Sequence, residues 1–250
     1  MSNRVPQSVF GRELRRTRRP FRLGATIITV ALALGAALAV VLLGASLSPV
    51  VESRFGSIDA QASPTRLCTE IAAYAALALV IFRRLPALAR CSLADLGLYR
   101  PRRHALAGAF GTAVVLFGFR AAALVPYLTL VHADGHIQAG FERFTPQGWF
   151  ANLLDSITEI FAAPVAEELL FRGVLFNALA ICVGTVPAAL GSGLLFGLSH
   201  GDFVLLPFIT LDGIVLALVY RYTRNLYATM IVHGIGNFIA VVGSRFFLQA

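Results

Sequence analysis

The sequence predicts an all-α, polytopic transmembrane helical bundle of about seven to eight helices. Three observations predict it. Hydrophobic residues fill 57% of the 250 positions, and the mean hydropathy is +0.75, far above that of soluble domains. Apolar runs of bilayer-spanning length recur from Leu23 onward. Every basic residue is an arginine, and the arginines gather in a few segments between the apolar runs, as topology-setting charges do.

Residues 1–22 form a basic arm carrying seven arginines between Arg4 and Arg22. With a net charge of +8, nucleic acid is one conceivable partner. The arm, however, abuts an apolar run and reads instead as a cytoplasmic anchor on anionic lipid. The next run, Leu23 to Val51, is too long for a signal-peptide core and carries no AxA cleavage pattern followed by a soluble mature chain. It is expected to be a retained helix over 23–48, stopped by Ser48-Pro49. The second span is expected at 65–83, with Glu70 near its outer end. These two spans make residues 23–90 an N-terminal helical unit, and 91–250 the core.

The connector 84–104 is rich in arginine, and within it Ser92 to Leu98 reads as a short amphipathic segment, capped by Ser92 and stopped by Gly97. A third span is expected at 105–131, with Arg120 inside, followed by a polar loop over 132–148 holding Asp134, His136, Glu142 and Arg143. The fourth helix, 149–181, is long, and Pro164 should kink or split it just before Glu167. Gly184 and Pro187 mark a turn, followed by a short fifth helix at 188–200, a sixth at 203–220 and a seventh at 226–246. With seven crossings, the arm, the 84–104 connector and the Arg221/Arg224 pair all fall on one side. That side is expected to be the cytoplasm, with the C-terminus outside. The short fifth helix is the point at which this count is most easily changed. The arginine-only composition and short loops point to a bacterial cytoplasmic membrane.

Cys68, Cys91 and Cys182 show neither CxxC nor zinc-ligand spacing, so no disulfide frame or metal cluster is expected from them. The chemistry-bearing groups lie elsewhere. Glu167-Glu168-Leu169-Leu170-Phe171-Arg172 puts three charges in an apolar region, each costing roughly 2.5–3.5 kcal/mol at mid-helix. Glu168 and Arg172 are four apart and can pair on one face. Glu167 is rotated by about 100° from Glu168 and is either a structural hydrogen-bonding carboxylate or a base. His200 ends the fifth helix, as an interface residue or a catalytic one. His233 and Asn237 share a face of the last helix, either as an interhelical clamp or as two donors for an oxyanion. Asp155 and Glu159, also four apart, are a polar interfacial face or the lining of a water path toward Glu167.

Taken together, Glu167-Glu168-x-x-x-Arg172, Phe196-x-x-x-His200 and His233-x-x-x-Asn237 resemble the three motifs of the CPBP family of intramembrane endopeptidases, the CAAX-protease and bacteriocin-processing group. All three occur in order, and none departs from the pattern. Ala163-Pro164, Phe171-Arg172-Gly173 and Ala94-Asp95-Leu96-Gly97-Leu98 also look typical, and the resemblance covers residues 90–250. It implies a helical intramembrane protease fold in which Glu167 activates water with His200, while His233 and Asn237 hold the oxyanion. Glu168 and Arg172 would support the first motif. The resemblance implies no obligatory cofactor. Were the enzyme zinc-dependent, Glu167, His200 and His233 would be the ligands, but one Glu and two scattered His make a thin set and no HExxH is present.

The expected partners are a membrane-associated protein or peptide substrate and the lipid bilayer, with no nucleic acid. Substrate choice does not transfer with fold, and no prenylated CAAX substrate is expected in a bacterium. The same residues admit a non-catalytic scaffold or bacteriocin-immunity protein. A transporter is less consistent, because no inverted repeat is evident. Rhomboid-type and aspartyl chemistry find no match in Gly191-Ser192-Gly193 or Leu211-Asp212-Gly213.

Overall fold

The computed structural model describes residues 23–55, 64–89, 93–94, 96–133 and 149–247. The basic arm, the 134–148 loop, Cys91, Ser92 and Asp95 lie outside the described residues. Among the described residues all regular structure is helical, in seven helices: α1 (Leu23–Phe55), α2 (Pro64–Ala89), α3 (Arg103–Leu130), α4 (residues 149–183), α5 (Thr185–Ser199), α6 (Leu206–Thr223) and α7 (Leu226–Phe247). Five of them, α1, α2, α3, α6 and α7, are long and apolar enough to cross a membrane. The chain is thus an integral, multi-pass membrane protein. α5 has 15 residues, about 22 Å at 1.5 Å per residue, and falls short of a full span.

Helix boundaries follow local chemistry. α1 runs through Pro49 to Phe55 rather than ending at Ser48-Pro49. In a mostly lipid-facing helix a single proline costs one backbone bond without forcing a stop. Pro187 lies in the first turn of α5, after Gly184 at φ +85°, where a missing N–H leaves nothing unsatisfied. The α5–α6 turn is fixed by the Leu205 N–H donating to Asp202 Oδ1 at 2.9 Å.

The segment from Leu93 to Leu98 is a tight turn, exposed at Leu93, buried at Leu96 and stopped at Gly97, while the expected cap Ser92 lies outside the described residues. The Gly97 N–H donates to Ala94 O at 3.0 Å and the Leu98 N–H to Leu93 O at 3.1 Å. Gly97 has φ +88°, and a Cβ there would sit 2.7 Å from the Arg224 carbonyl oxygen. The turn is pinned against the α6–α7 junction. The Leu226 N–H donates to Gly97 O at 2.9 Å, Asn225 Nδ2 donates to Tyr99 O at 2.6 Å, and Tyr220 Oη donates to Leu96 O at 3.2 Å. The arginine-bearing connector and the Arg221/Arg224 turn therefore lie at the same end of the molecule.

α4 is the centre of the bundle. Leu169, Leu170, Phe171, Val174 and Phe176 are buried in one cluster with Leu77 and Ile81 of α2, Phe196 of α5, Ala217 of α6 and Leu226 of α7. α3 packs on the far side of α7, through Ala109 and Ala113 against Ala228 and Val232. α5 and α6 approach most closely at glycines: a Cβ on Gly213 would lie 2.8 Å from the Gly193 Cα, and one on Gly197 would collide with Thr210. Gly193-x-x-x-Gly197 is a small-residue seam of the kind that brings membrane helices together.

Of the two outcomes expected at Pro164, a split does not occur: α4 runs on through the proline. It passes from Trp149–Ile157 through a π-helical stretch, Thr158–Ala162, into α-helical Ala163–Glu168, then a second π stretch, Leu169–Phe176, and ends α-helical at Asn177–Val183. A proline ring would collide with the carbonyl four residues back in a regular α-helix. The wider π turn before it relieves that contact, with the Ala163 N–H donating five residues back to Thr158 O.

Candidate active site

Two adjacent glutamates on α4 face two directions. Glu168 and Arg172 are both wholly inaccessible to solvent, and Arg172 Nη1 donates to Glu168 Oε1 at 2.8 Å. The other arm of the guanidinium, Nη2, donates to the Gly213 carbonyl of α6 at 2.9 Å. Its carbon lies 4.6 Å from the centre of the Phe196 ring of α5. One arginine thus ties α4 to α5 and α6, which the short polar reach of Lys would not do in two directions.

Glu168 Oε1 also meets His233 Nδ1 of α7 at 3.0 Å. A carboxylate paired with arginine accepts, so Nδ1 carries the proton and donates. This orients the second ring nitrogen, Nε2, toward Glu167, whose Oε2 is 3.8 Å away. The two glutamates therefore flank one imidazole on opposite nitrogens. Were Nε2 also to donate, the ring would carry both protons. Glu167 Oε2 is buried without a hydrogen-bond partner, whereas Oε1 accepts from Tyr74 Oη of α2 at 3.3 Å.

Phe196 is the floor between the histidines. Its ring meets His200 edge-on at 4.8 Å and His233 at 5.5 Å. His200, at the end of α5, is exposed. Its Nδ1 donates to the Phe196 carbonyl at 2.8 Å, which leaves Nε2 as the ring's acceptor.

Asn237 lies one turn beyond His233 on α7, and its Nδ2 donates to the Glu159 carbonyl of α4 at 2.7 Å. The reason is local to α4. In the π register the Glu159 carbonyl would be bonded by the residue five ahead, which is Pro164 and has no N–H. Asn237 supplies that bond from the neighbouring helix. Between the two side chains, Gly234 lets α7 close on the π turn: a Cβ there would lie 2.8 Å from Ile160 O. His233 and Asn237 thus both bond to α4, in the manner of an interhelical clamp. Asn237 retains a second amide hydrogen, and His233 its Nε2.

Of the six sequence-derived residues, Glu167 and Glu168 each approach His233, and Arg172 joins them through Glu168. His200 is reached through Phe196. Asn237 is placed on Glu159. Among the described residues no group of three His, Cys, Asp or Glu side chains is gathered to hold a metal ion, and Glu167, His200 and His233 do not form such a set. His233 Nδ1 is committed to Glu168, and the donor set does not fit a zinc centre as arranged.

Arg120 of α3 pairs with Asp212 of α6 at 2.8 Å, which accounts for both intramembrane charges. Cys68 and Cys182 are exposed free thiols. The residue that sequence reading missed is Tyr74. Its signal was present: Arg66, Glu70 and Tyr74 recur every four residues along an apolar helix, and Arg66 and Glu70 lie 3.6 Å apart. A polar stripe on a membrane helix calls for a polar partner.

Residues 148–239 match the family profile described as type II CAAX prenyl endopeptidase Rce1-like. Two curated proteins are similar over this kind of length. One is the membrane-embedded CAAX protease MroQ of Staphylococcus aureus, 34% identical over 85 residues, which cover 32% of this chain and 34% of that protein. The other is the putative membrane peptidase YdiL of Bacillus subtilis, 29% identical over 86 residues, covering 34% of this chain and 35% of that protein. The chain spans about a third of the length of these relatives. No solved structure matches. The CPBP resemblance of the three motifs is thereby upheld, and the matched segment holds Glu167, Glu168, Arg172, His200, His233 and Asn237.

Proposed function

We propose that this protein, whose residues 148–239 carry the CAAX-endopeptidase family match, is a membrane-embedded endopeptidase that uses Glu167 to activate water. The observation that carries the reading is Glu167 Oε2, a buried carboxylate oxygen without a hydrogen-bond partner, beside a histidine whose other nitrogen is locked by a second carboxylate. Glu168 Oε2 also lacks a partner, but Glu168 is tied down by Arg172 and His233 through its other oxygen, whereas the Glu167 side chain is met by the Tyr74 hydroxyl and stands 3.8 Å from His233 Nε2.

In this reading Glu167 takes a proton from a water as the oxygen attacks the scissile carbonyl carbon, with His200 Nε2 assisting. The carbonyl oxygen becomes an oxyanion that the remaining amide hydrogen of Asn237 stabilises together with His233 in its doubly protonated form, which donates from Nε2 while Nδ1 stays bonded to Glu168. Collapse of the tetrahedral intermediate expels the amine, which receives the proton from Glu167. No metal enters this scheme. The substrate is a membrane-associated protein or peptide, and the bilayer is the second partner. The arm, the connector and the Arg221/Arg224 turn face the cytoplasm. A cysteine introduced as Phe10→Cys or Asp95→Cys in a Cys-free background then resists impermeant thiol reagents in intact cells, and labelling without lysis inverts the orientation.

The deciding experiment uses purified protein in nanodiscs and a quenched-fluorescence peptide that the wild type cleaves, selected from a library. Glu167→Gln keeps the shape and removes the base, so turnover falls by at least about 100-fold with the melting temperature unchanged. Undiminished cleavage rejects the water-activation role. A wild type that binds library peptides but cleaves none supports the scaffold reading.

A further inference from the structure

Hydrolysis by a single carboxylate requires that its free oxygen point in one direction. Glu167 has three side-chain torsions, and α4 alone does not fix them. Glu168 is held by Arg172 and His233, but the Glu167 side chain makes no hydrogen bond to its own helix or to α5, α6 or α7 among those the structure shows. Its one hydrogen bond comes from α2, where Tyr74 Oη donates to Oε1 at 3.3 Å. The other oxygen is left buried and open toward His233.

We infer that Tyr74 is a positioning residue for the active site: its hydroxyl anchors Glu167 Oε1 so that Oε2 faces the water and His233. The inference rests on the reading of Glu167 as the base, and it makes the N-terminal helices part of the working site. Tyr74 lies outside the matched residues 148–239, so the family match does not assign it. The α2 helix is held against α4 independently of this bond, since Leu77 and Ile81 sit in the central cluster with Ala166, Leu169 and Leu170. Tyr74 is consequently presented from a fixed support. Anchoring also has a chemical consequence: the hydroxyl occupies one carboxylate oxygen, so the incoming proton is directed to the other.

Tyr74→Phe removes only the hydroxyl and keeps the ring that packs on α4. With the same quenched-fluorescence peptide in nanodiscs, kcat falls about 10-fold while KM and the melting temperature stay at wild-type values. The effect must act through Glu167. Glu167→Asp, one methylene shorter, draws the carboxylate away from Tyr74, so Tyr74→Phe in the Glu167→Asp background produces no further loss. A wild-type kcat in Tyr74→Phe overturns the inference, as does an equal loss in the Glu167→Asp background. A loss seen only in melting temperature also overturns it. The two layers separate cleanly: full cleavage by Glu167→Gln removes the base reading itself, whereas an inactive Glu167→Gln with a fully active Tyr74→Phe removes Tyr74 alone.

Discussion

Replacing Arg172 by methionine keeps the length of the side chain and deletes its charge. The guanidinium is wholly inaccessible and bonds to Glu168 Oε1 and to the Gly213 carbonyl. Without it, Glu168 is left with His233 as its remaining hydrogen-bonded partner, and its Oε2 has none to begin with. Breaking one side of a buried pair costs about 3–5 kcal/mol, while the Gly213 carbonyl, in the middle of α6, keeps its helical acceptor role and adds little. Against a total stability of about 5–15 kcal/mol, a loss of at least about 3 kcal/mol is large. At about 2–4 °C per kcal/mol it lowers the melting temperature by at least about 6 °C. Intrinsic-fluorescence melting of the purified protein in one detergent measures this. The decisive comparison is Glu168→Gln/Arg172→Met, in which both charges are gone. If the cost is the stranded carboxylate, the double variant recovers most of the loss. A single variant within about 1 kcal/mol of wild type refutes the reasoning. So does a double variant as unstable as the single one.

Asn237→Ala removes the donor to the Glu159 carbonyl and is expected to cost about 1–3 kcal/mol of stability; where Asn237 also serves the oxyanion, kcat falls about 100-fold or more with KM little changed. Melting and steady-state kinetics on the same sample separate the two effects. His200→Ala lowers kcat by at least about 100-fold but leaves the melting temperature near wild type, because the ring is exposed and bonds only its own helix. Thorough chelation leaves activity intact, and metal analysis finds less than one equivalent per chain; zinc at one equivalent, with activity lost on chelation and restored by zinc alone, would recast Glu167, His200 and His233 as ligands.

The spans and the Glu168–Arg172 pair were legible because hydropathy and i, i+4 spacing are local properties. The path of α4 was not. Pro164 signals a kink or a split, and only the packing of α7, through Gly234 and Asn237, shows how the helix continues past it. Sequence placed Glu167 and Glu168 on different faces, but not the single imidazole that they share, because His233 lies 65 residues beyond Glu168. Tyr74 was passed over for the same reason: its partner is 93 residues away. The 93–98 turn was legible as a short segment stopped by Gly97, but not what covers it: Leu96 is buried by the α6–α7 junction, which no local window contains.

The two π stretches of α4 make that helix a counted object. A π turn holds one residue more than the α-helical turn it replaces. Deleting a single residue between Thr158 and Ala162 would remove the residue that the wide turn accommodates, restore the tighter winding and press Pro164 back onto a carbonyl, while Asp155 and the residues before it kept nearly their present faces. Substitutions there change a side chain; a deletion removes the wide turn and the Glu159 carbonyl that it opens to Asn237. Length, more than composition, is what this segment must preserve through evolution. Two relatives aligned across it without a gap can be one residue out of step on the far side, with their polar faces compared to the wrong neighbours.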